Sequence, residues 1–309
     1  MYMVYSIWYI VSCVKLNTLY LILYTLYPLS MPFLFFGTPY FSARVLEKLI
    51  ERGIVPAAVV TNPDRPVGRK KAITPPPVKV LAEKHGIKIY QPEKLDEPFI
   101  NELKSLRPDF FLVFAYNKIF RKSFLAIPRL GTVGVHPSFL PKYRGPSPFQ
   151  TALLDGERET GVTLYLLDEG VDSGPVLAKS QPIAIGPNDT FATLALKLAD
   201  AGAEILVETL PRFTEGKITP QPQVESQATF TKKFTTEDGF VKPEDLEAAE
   251  NGALEIAAKI DRKIRALNPD PGVWTMKDGK RIKLLEASIE NGSLRLTVTQ
   301  REGEKPRAV

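Results

Sequence analysis

From residue 31 onward, short apolar runs alternate with segments in which apolar positions recur every three or four residues. "PFLFF", "VPAAVV" and "DFFLVFA" are apolar runs of strand length, whereas "YFSARVLEKLIER" has the spacing of an amphipathic helix. Continuous apolar runs are typical of strands that are buried on both faces. Strands separated by helices predict an α/β fold, with a mostly parallel sheet and helices on both of its faces.

The pattern changes after residue 213. Residues 214–236 are polar and show little periodicity, which predicts a linker. A helix over "GALEIAAKIDRKIRAL" and short strands around "VWTM", "RIKLLEASI" and "SLRLTVTQ" follow, and they predict a small β-rich domain. The expected domains are therefore residues 31–213 and 237–309, joined by residues 214–236.

The first thirty residues differ from the rest of the chain. They are apolar and rich in tyrosine, and Lys15 is their only charged side chain. The uncharged run after Lys15 is short for a bilayer span, and a signal peptide would carry its positive charge before the apolar stretch. We interpret residues 1–30 as a misassigned extension ahead of a start at Met31, with a membrane anchor as the alternative.

Composition narrows the possible chemistry. The chain has 309 residues, a formal net charge of +5 and one cysteine, Cys13. A single cysteine excludes an internal disulfide and a cysteine-based zinc site, and it suits a reducing cytoplasm. The basic residues cluster in "TNPDRPVGRKK" and between residues 259 and 283. Two separated basic patches suit a polyanion such as RNA, although solvated surface is the simpler explanation for either patch alone.

One of the two histidines, His136, ends an apolar strand in "GVHPSFLPKYRGPSP", and Asp172 follows 36 residues later in "DEGVDSGP". Ligands of parallel sheets bind beyond the carboxyl ends of strands, so we expect the two side chains to meet there. A loop histidine bonded to nearby backbone is the alternative. The chain has no Gly-x-Ser-x-Gly elbow, no glycine-rich phosphate loop and no close set of metal ligands. Acyl transfer with a nucleophile supplied by the substrate remains.

The same stretches resemble a known family. "VHPSFLPKYRGPSP" and "GVDSGP" are similar to the signature of the folate-dependent formyltransferases, and "FFGTPYFS" and "FAYNKIF" fall where that family has its first strand–turn and its folate-lining strand. "NPDRPVGRKK" and "IRALNPDPGVWT" resemble the tRNA-contacting loop and the start of the C-terminal domain of the methionyl-tRNA formyltransferases. The resemblance implies a Rossmann-like catalytic domain and a C-terminal OB-like domain, acting as a cytoplasmic monomer.

The resemblance also implies an activity and a set of site residues. The α-amine of methionyl-initiator tRNA would attack the formyl carbon of 10-formyltetrahydrofolate, with no metal involved. His136 would stabilise the oxyanion, and Asp172 would orient His136 and help to move the amine proton. The residues assigned to folate are Tyr116, Ser138, Phe139, Leu140 and Pro141. The residues assigned to tRNA are Arg65, Arg69, Lys70, Lys71, Lys263, Arg265, Lys280 and Arg281.

Two departures from the family pattern keep other functions open. Gly134 stands where the family has an asparagine that donates to the oxyanion, and loss of one such donor costs about 10²–10³-fold in rate. Asn117 stands where the family has glycine, so it is either a substitute donor or a residue with an unusual backbone angle. The C-terminal domain is abbreviated, by about two strands. An amino-sugar formyltransferase and a non-catalytic tRNA- or folate-binding protein are the alternatives.

Overall fold

The computed structural model describes residues 32–68 and 71–309 of the chain. The predicted extension, residues 1–30, lies outside the described residues, as do Arg69 and Lys70. Within the described ranges, no helix is long and apolar enough to cross a membrane.

The described chain divides into two compact units. The first runs to Val133 and also contains Leu206–Ile218, while the second consists of Gly134–Ile205 and Thr219–Val309. The domain boundaries expected from the sequence, at residues 213 and 236, stay a prediction.

The first unit is built on a parallel sheet. The strands of this unit are β1 (Phe33–Gly37), β2 (Ala58–Val60), β3 (Arg65–Val67), β4 (Ala72–Thr74), β5 (Lys88–Tyr90) and β6 (Phe110–Phe114). The helices of this unit are α1 (Tyr40–Glu51), α2 (Pro77–Lys84), α3 (Glu97–Ser105) and α4 (Lys122–Leu125). Every residue of β1 is buried, and β1 pairs in parallel with β2 and with β6. β5 adds to β2, also in parallel. The predicted mostly parallel sheet is therefore confirmed.

Helix α1 lies where its apolar spacing predicts it. Its buried positions include Phe41, Val45 and Leu49, which recur every four residues and so share one face. Ser42 is the one buried polar residue of α1. Its hydroxyl donates to the carbonyl of Phe114, at the end of β6, at 2.6 Å, so this buried hydroxyl has a hydrogen-bond partner. The basic segment that follows β2 differs from the predicted loop, because β3 and β4 form an exposed antiparallel hairpin.

Strand β7 (Thr132–His136) begins in the first unit and ends in the second. The elements that follow β7 along the chain are α5 (Pro148–Asp155), β8 (Glu159–Thr160), β9 (Thr163–Leu166), β10 (Val176–Lys179), β11 (Ile183–Ala184) and α6 (Phe191–Thr214). In the first unit the strand order is β7-β6-β1-β2-β5, and in the second unit β9 and then β10 follow β7. β10 is antiparallel to β9.

The chain ends in a small β-rich region. It contains α7 (Pro243–Glu250), α8 (Leu254–Leu267), β12 (Trp274–Lys277), β13 (Lys280–Glu290), β14 (Ser293–Arg301) and β15 (Arg307–Ala308). The four strands form an antiparallel sheet in chain order. A turn at Asn291 and Gly292, both with positive φ, joins the two long strands directly where the family resemblance led us to expect two further strands. The predicted small β-rich C-terminal region is confirmed, and its abbreviation relative to the family barrel stays a prediction.

Gly86, which follows helix α2, offers a clean stability test. Its φ is +65°, and a Cβ added there would meet no atom within 4 Å. We expect Gly86→Ala to lower the free energy of unfolding by about 1 kcal/mol, because left-handed backbone is strained for residues with a Cβ. Gly86→Asn should cost less, since asparagine tolerates this region better. Urea denaturation of the three proteins measures both changes, and an unaltered Gly86→Ala protein would contradict the expectation.

Candidate active site

His136 is buried at the carboxyl end of β7. Its Nε2 lies 2.8 Å from the carbonyl oxygen of Tyr143. A carbonyl only accepts hydrogen bonds, so Nε2 carries a proton and donates it. Nδ1 is therefore the ring nitrogen that remains for chemistry. The alternative, a loop histidine bonded to nearby backbone, accounts for the contact made by Nε2. It does not account for the surroundings of Nδ1.

Asp172 lies beside that second nitrogen. Its Oδ2 is 3.6 Å from Nδ1 of His136, which is an ion-pair distance but longer than a hydrogen bond. The backbone N–H of Gly145 donates to Oδ2 at 2.7 Å, and the hydroxyl of Tyr165 donates to Oδ1 at 2.5 Å. Asp172 itself has φ +49°, a left-handed conformation that aspartate tolerates better than most residues. The structure thus brings together the two residues to which the sequence assigned catalysis.

The loop after His136 is held by a buried arginine. Arg144 is 2% exposed, and its guanidinium donates to the side-chain oxygens of Gln223 and Glu225 over distances of 2.7–3.0 Å. The carboxylate of Glu225 raises the pKa of Arg144 through this hydrogen bond. Gln223 in turn donates to the carbonyl of Asp172 at 2.8 Å. The segment predicted as a linker therefore connects the His136 loop with the Asp172 loop.

Gly134 lies two residues before His136 on β7, in a crowded position. A Cβ added there would lie 2.4 Å from Cε1 of Tyr165 and 2.4 Å from Cδ1 of Leu167. Real Cβ atoms do not make contacts that short, so the ring of Tyr165 occupies the space that a side chain at residue 134 would need. Sequence reasoning singled out Gly134 but missed Tyr165. The only feature of the sequence that could have indicated Tyr165 is its position, as an aromatic residue in the predicted strand that leads to Asp172.

The residues assigned to folate differ in their surroundings. The hydroxyl of Ser138 donates to the carbonyl of Lys142, and Leu140 is fully buried, so both hold the loop in shape. Phe139 and Pro141 are half-buried. The ring of Phe139 lies so close to Gly161 that an added Cβ there would overlap it, at 2.1 Å. The contact of these residues with folate stays a prediction.

Tyr116, in the first unit, follows β6 and packs edge-on against Phe36. Its hydroxyl is buried and has no hydrogen-bond partner within the described part of the chain. Burial raises the pKa of Tyr116, so the hydroxyl is a neutral donor. An unpaired buried hydroxyl is costly unless a bound molecule completes its bonding.

Asn117, the substitute donor suggested by the sequence, lies in the same turn. Its Oδ1 accepts a hydrogen bond from Nδ2 of Asn62 at 3.0 Å. The alternative, that Asn117 has an unusual backbone angle, is wrong, because the residue with positive φ in this turn is Ala115, at +51°. The role of Asn117 as a donor stays a hypothesis.

Two of the basic residues assigned to tRNA, Arg65 and Lys71, lie on the exposed β3–β4 hairpin. Arg65 is exposed and pairs with Glu93 at 2.5 Å, and Lys71 lies at the turn with φ +49°. Exposed ion pairs are weak and exchange readily for other partners. Arg65 and Lys71 are therefore accessible from solvent, and their contact with tRNA stays a prediction.

Two of the basic residues assigned to tRNA in the second unit, Lys263 and Arg265, have partners within the protein. Lys263 donates to the carbonyl of Phe240 at 3.0 Å, and burial lowers its pKa. Arg265 pairs with Asp261 at 2.8 Å and donates to the carbonyl of Asp189 at 2.8 Å. These contacts give both side chains a structural role that the sequence did not indicate.

Arg281 and Lys280 lie at the start of β13. The guanidinium of Arg281 stacks over the ring of Trp274 at 4.2 Å, and Lys280 is exposed. Of the four basic residues assigned to tRNA in this unit, Lys280 is therefore the most accessible, and tRNA contact by all four stays a prediction. Among the described residues, no group of three or more His, Cys, Asp or Glu could hold a metal ion.

Comparison with known proteins identifies similar sequences over most of the chain. Residues 31–210 match the family described as formyl transferase, and residues 255–305 match the formyl transferase C-terminal domain. A methionyl-tRNA formyltransferase of Halorhodospira halophila is 42% identical over 254 residues, which cover 82% of this chain and 78% of the relative. The corresponding enzyme of Dictyoglomus thermophilum is 43% identical over 262 residues, covering 84% and 80%.

Solved structures show the same fold at lower identity. The methionyl-tRNA formyltransferase of Clostridium thermocellum has a TM-score of 0.57 and 17% identity, covering 90% of this chain and 99% of that one. An N-formyltransferase of Helicobacter canadensis, solved with folinic acid and dTDP-3-aminofucose, has a TM-score of 0.60 and 18% identity, covering 84% and 88%. Likeness at this level of identity supports the fold alone.

Proposed function

Since this chain belongs to the formyltransferase family, with the methionyl-tRNA formyltransferases among its relatives, we propose that it formylates the amino group of methionyl-initiator tRNA. The formyl donor is a folate, and we take it to be 10-formyltetrahydrofolate. The observation that carries the proposal is the pairing of buried His136 with half-buried Asp172, which occurs on a chain that is 42% identical to such an enzyme over 82% of its length. A cytoplasmic location and a monomeric state stay predictions.

The reaction exchanges one carbon–nitrogen bond for another. The folate supplies a formyl carbon whose bond to N10 breaks as the methionyl nitrogen forms its bond, and one proton passes overall from the amine to N10. His136 stabilises the negative charge that develops on the formyl oxygen by donating a hydrogen bond from Nδ1, so at this step Nδ1 must carry a proton as well as Nε2. Asp172 fixes the orientation of that ring and accepts the amine proton.

Three features of this chain hold the pair in place. The Tyr143 carbonyl fixes one side of the imidazole, and the Gly145 N–H fixes the carboxylate oxygen that faces the other side. Arg144, between these two residues, anchors the loop through Gln223. A ring held from both sides needs little reorganisation during the reaction, which is the condition under which electrostatic stabilisation is effective.

One buried hydroxyl of the first unit, that of Tyr116, supports a folate site there. The hydroxyl of Tyr116 lacks a partner in the described part of the chain and would gain one from a polar group of the ligand. The rings of Phe36 and Phe120 lie against the ring of Tyr116, so apolar side chains surround part of this residue. An apolar wall with a few polar groups is typical of small-molecule sites. We propose that Tyr116 contacts the folate.

A transfer assay tests the function. The protein is mixed with 10-formyltetrahydrofolate and, in separate reactions, with methionyl-initiator tRNA and a nucleotide-linked amino sugar. Formylation of the tRNA alone is the expected result, because the exposed basic hairpin suits a polyanion. Formylation of the sugar alone would favour the amino-sugar alternative. Binding of tRNA or folate without any transfer would favour the non-catalytic alternative.

The basic hairpin gives a second prediction, about affinity. We expect the double substitution of Arg65→Ala with Lys71→Ala to lower the slope of log K against log salt for tRNA by about two, because each lost phosphate contact releases fewer counterions. The control substitutes Lys48 and Lys217, two lysines that form ion pairs on the surface of the same unit. Filter binding at several salt concentrations measures the slopes. Equal slopes for the two double variants would remove the hairpin from the tRNA site.

A further inference from the structure

We propose that Tyr165 is a positioning residue for formyl transfer, which acts on His136 through Asp172, and that Gly134 is small in order to admit its ring. The inference deepens the proposed function and rests on it for the roles of His136 and Asp172. It concerns two neighbouring strands, since Gly134 lies on β7 and Tyr165 on β9.

The first step is the hydrogen bond to Asp172. The hydroxyl of Tyr165 donates to Oδ1 at 2.5 Å, while the N–H of Gly145 donates to Oδ2 at 2.7 Å. One donor on each oxygen fixes the plane of the carboxylate, and the oxygen held by Gly145 is the one that faces His136. Without Tyr165 the carboxylate could rotate about the bond to Gly145. Hydrogen bonds to charged acceptors are about twice as strong as neutral ones, so this contact is an effective restraint.

The second step is the state of the hydroxyl. Tyr165 is buried, and burial together with the charge of Asp172 raises the pKa of Tyr165 well above its ordinary value. The hydroxyl therefore stays protonated and acts as a donor at neutral pH. Its single proton is directed at Asp172, so it does not serve as a donor to the oxyanion. Tyr165 supports the pair without replacing a missing donor.

The third step is space. The ring of Tyr165 stands nearly perpendicular to the imidazole of His136, at 87° and a centroid distance of 6.3 Å. A Cβ at Gly134 would lie 2.4 Å from Cε1 and 2.8 Å from Cζ of the same ring. Leu167 would also be touched, but it is half-buried and can change rotamer. Tyr165 cannot move without releasing Asp172, so the two positions are coupled.

Kinetics test the hydroxyl. Tyr165→Phe keeps the ring and removes the donor, and we expect kcat for formyl transfer to fall about 10- to 100-fold, the range for one hydrogen bond to a charged group. KM for methionyl-tRNA should change less than about twofold, because Tyr165 is buried and acts through Asp172. The matched control is Tyr90→Phe, which removes a buried hydroxyl from strand β5. A Tyr165→Phe protein with unaltered kcat would overturn the proposal.

A double-substitution cycle tests the space. Gly134→Ala should lower kcat at least about tenfold in the parent protein, because the methyl group displaces the ring. In a Tyr165→Leu background, which lacks the ring atoms next to Gly134, the same change should cost less than about twofold. In a Tyr165→Phe background the ring remains, so the cost should persist. Equal costs of Gly134→Ala in all three backgrounds would mean that the two positions are independent, against the proposal.

A spectroscopic measurement separates positioning from general damage. The chain has two histidines, so a sample labelled with ¹⁵N-histidine gives few signals, and a His85→Gln variant assigns them. We expect Tyr165→Phe to shift the Nδ1 signal of His136 and Tyr90→Phe to leave it in place, because only the first change frees the carboxylate. Identical His136 signals in the parent and Tyr165→Phe proteins would contradict a path through Asp172.

These measurements also distinguish a failure of this inference from a failure of the proposed function. If the parent protein does not formylate methionyl-tRNA, the proposed function fails. The histidine spectra and the same double-substitution cycle, measured by thermal unfolding, need no substrate and still decide whether Tyr165 holds Asp172 and excludes a side chain at residue 134.

Discussion

Replacing His136 by alanine is expected to lower kcat for formyl transfer by about 10²–10⁴-fold, the contribution typical of a group that handles protons and charge in the transition state. KM for methionyl-tRNA should change little, because a buried ring contributes to the transition state more than to binding. Steady-state formylation of methionyl-initiator tRNA measures both constants.

The control for this substitution is His85→Ala. His85 is the other histidine of the chain and lies exposed at the end of helix α2. It should retain the parent kcat, since it contributes no buried contact. If His136→Ala kept more than about a tenth of the parent kcat, the histidine would not carry the reaction, and a non-catalytic role of the pair would follow.

Replacing Arg144 by methionine is expected to lower the free energy of unfolding by about 2–3 kcal/mol, because the partners of a buried guanidinium lose their hydrogen bonds. The main loss lies at Gln223, which accepts two of these bonds and also donates to the carbonyls of Asp172 and Gly174. Glu225 contributes less, since its side chain is 70% exposed and solvent screens the pair. The loss of this anchor should lower kcat as well. Urea unfolding and the transfer assay measure the two effects.

A matched surface arginine gives the comparison. Arg129 pairs with Asp109 at 2.7 Å, but its side chain is 65% exposed. Arg129→Met should cost less than about 1 kcal/mol, the ordinary value of an exposed pair. Equal losses for the two arginine variants would mean that the Gln223 contacts add no stability and that the connection between the two loops is incidental.

The family motif has asparagine at the position of Gly134. We expect the single substitution Gly134→Asn not to raise the activity of this chain. The side chain would enter the space of the Tyr165 ring, which is fixed through Asp172. A gain from asparagine would require a smaller residue at position 165 at the same time. Gly134 and Tyr165 therefore belong to one arrangement.

The sequence by itself determined the class of fold and predicted which two residues form the candidate catalytic pair. Apolar runs such as Phe33–Gly37 predicted the buried strands, because the pattern of burial is a local property of the chain. The motifs around His136 and Asp172 predicted the candidate catalytic residues, since each motif is a short stretch with distinctive composition. Short apolar segments of strand length likewise predicted the small β-rich C-terminal region.

Only the tertiary structure decided which residues support that pair. Tyr165 meets Gly134 across two strands that are 31 positions apart at these residues, and Arg144 meets Gln223 79 positions away. It also showed that Lys263 and Arg265 have internal partners, although their charge alone suggested a nucleic-acid surface. The physical reason is the same in each case. Periodicity and composition report on the burial of one segment, whereas hydrogen bonds and steric exclusion depend on which distant segment lies against it.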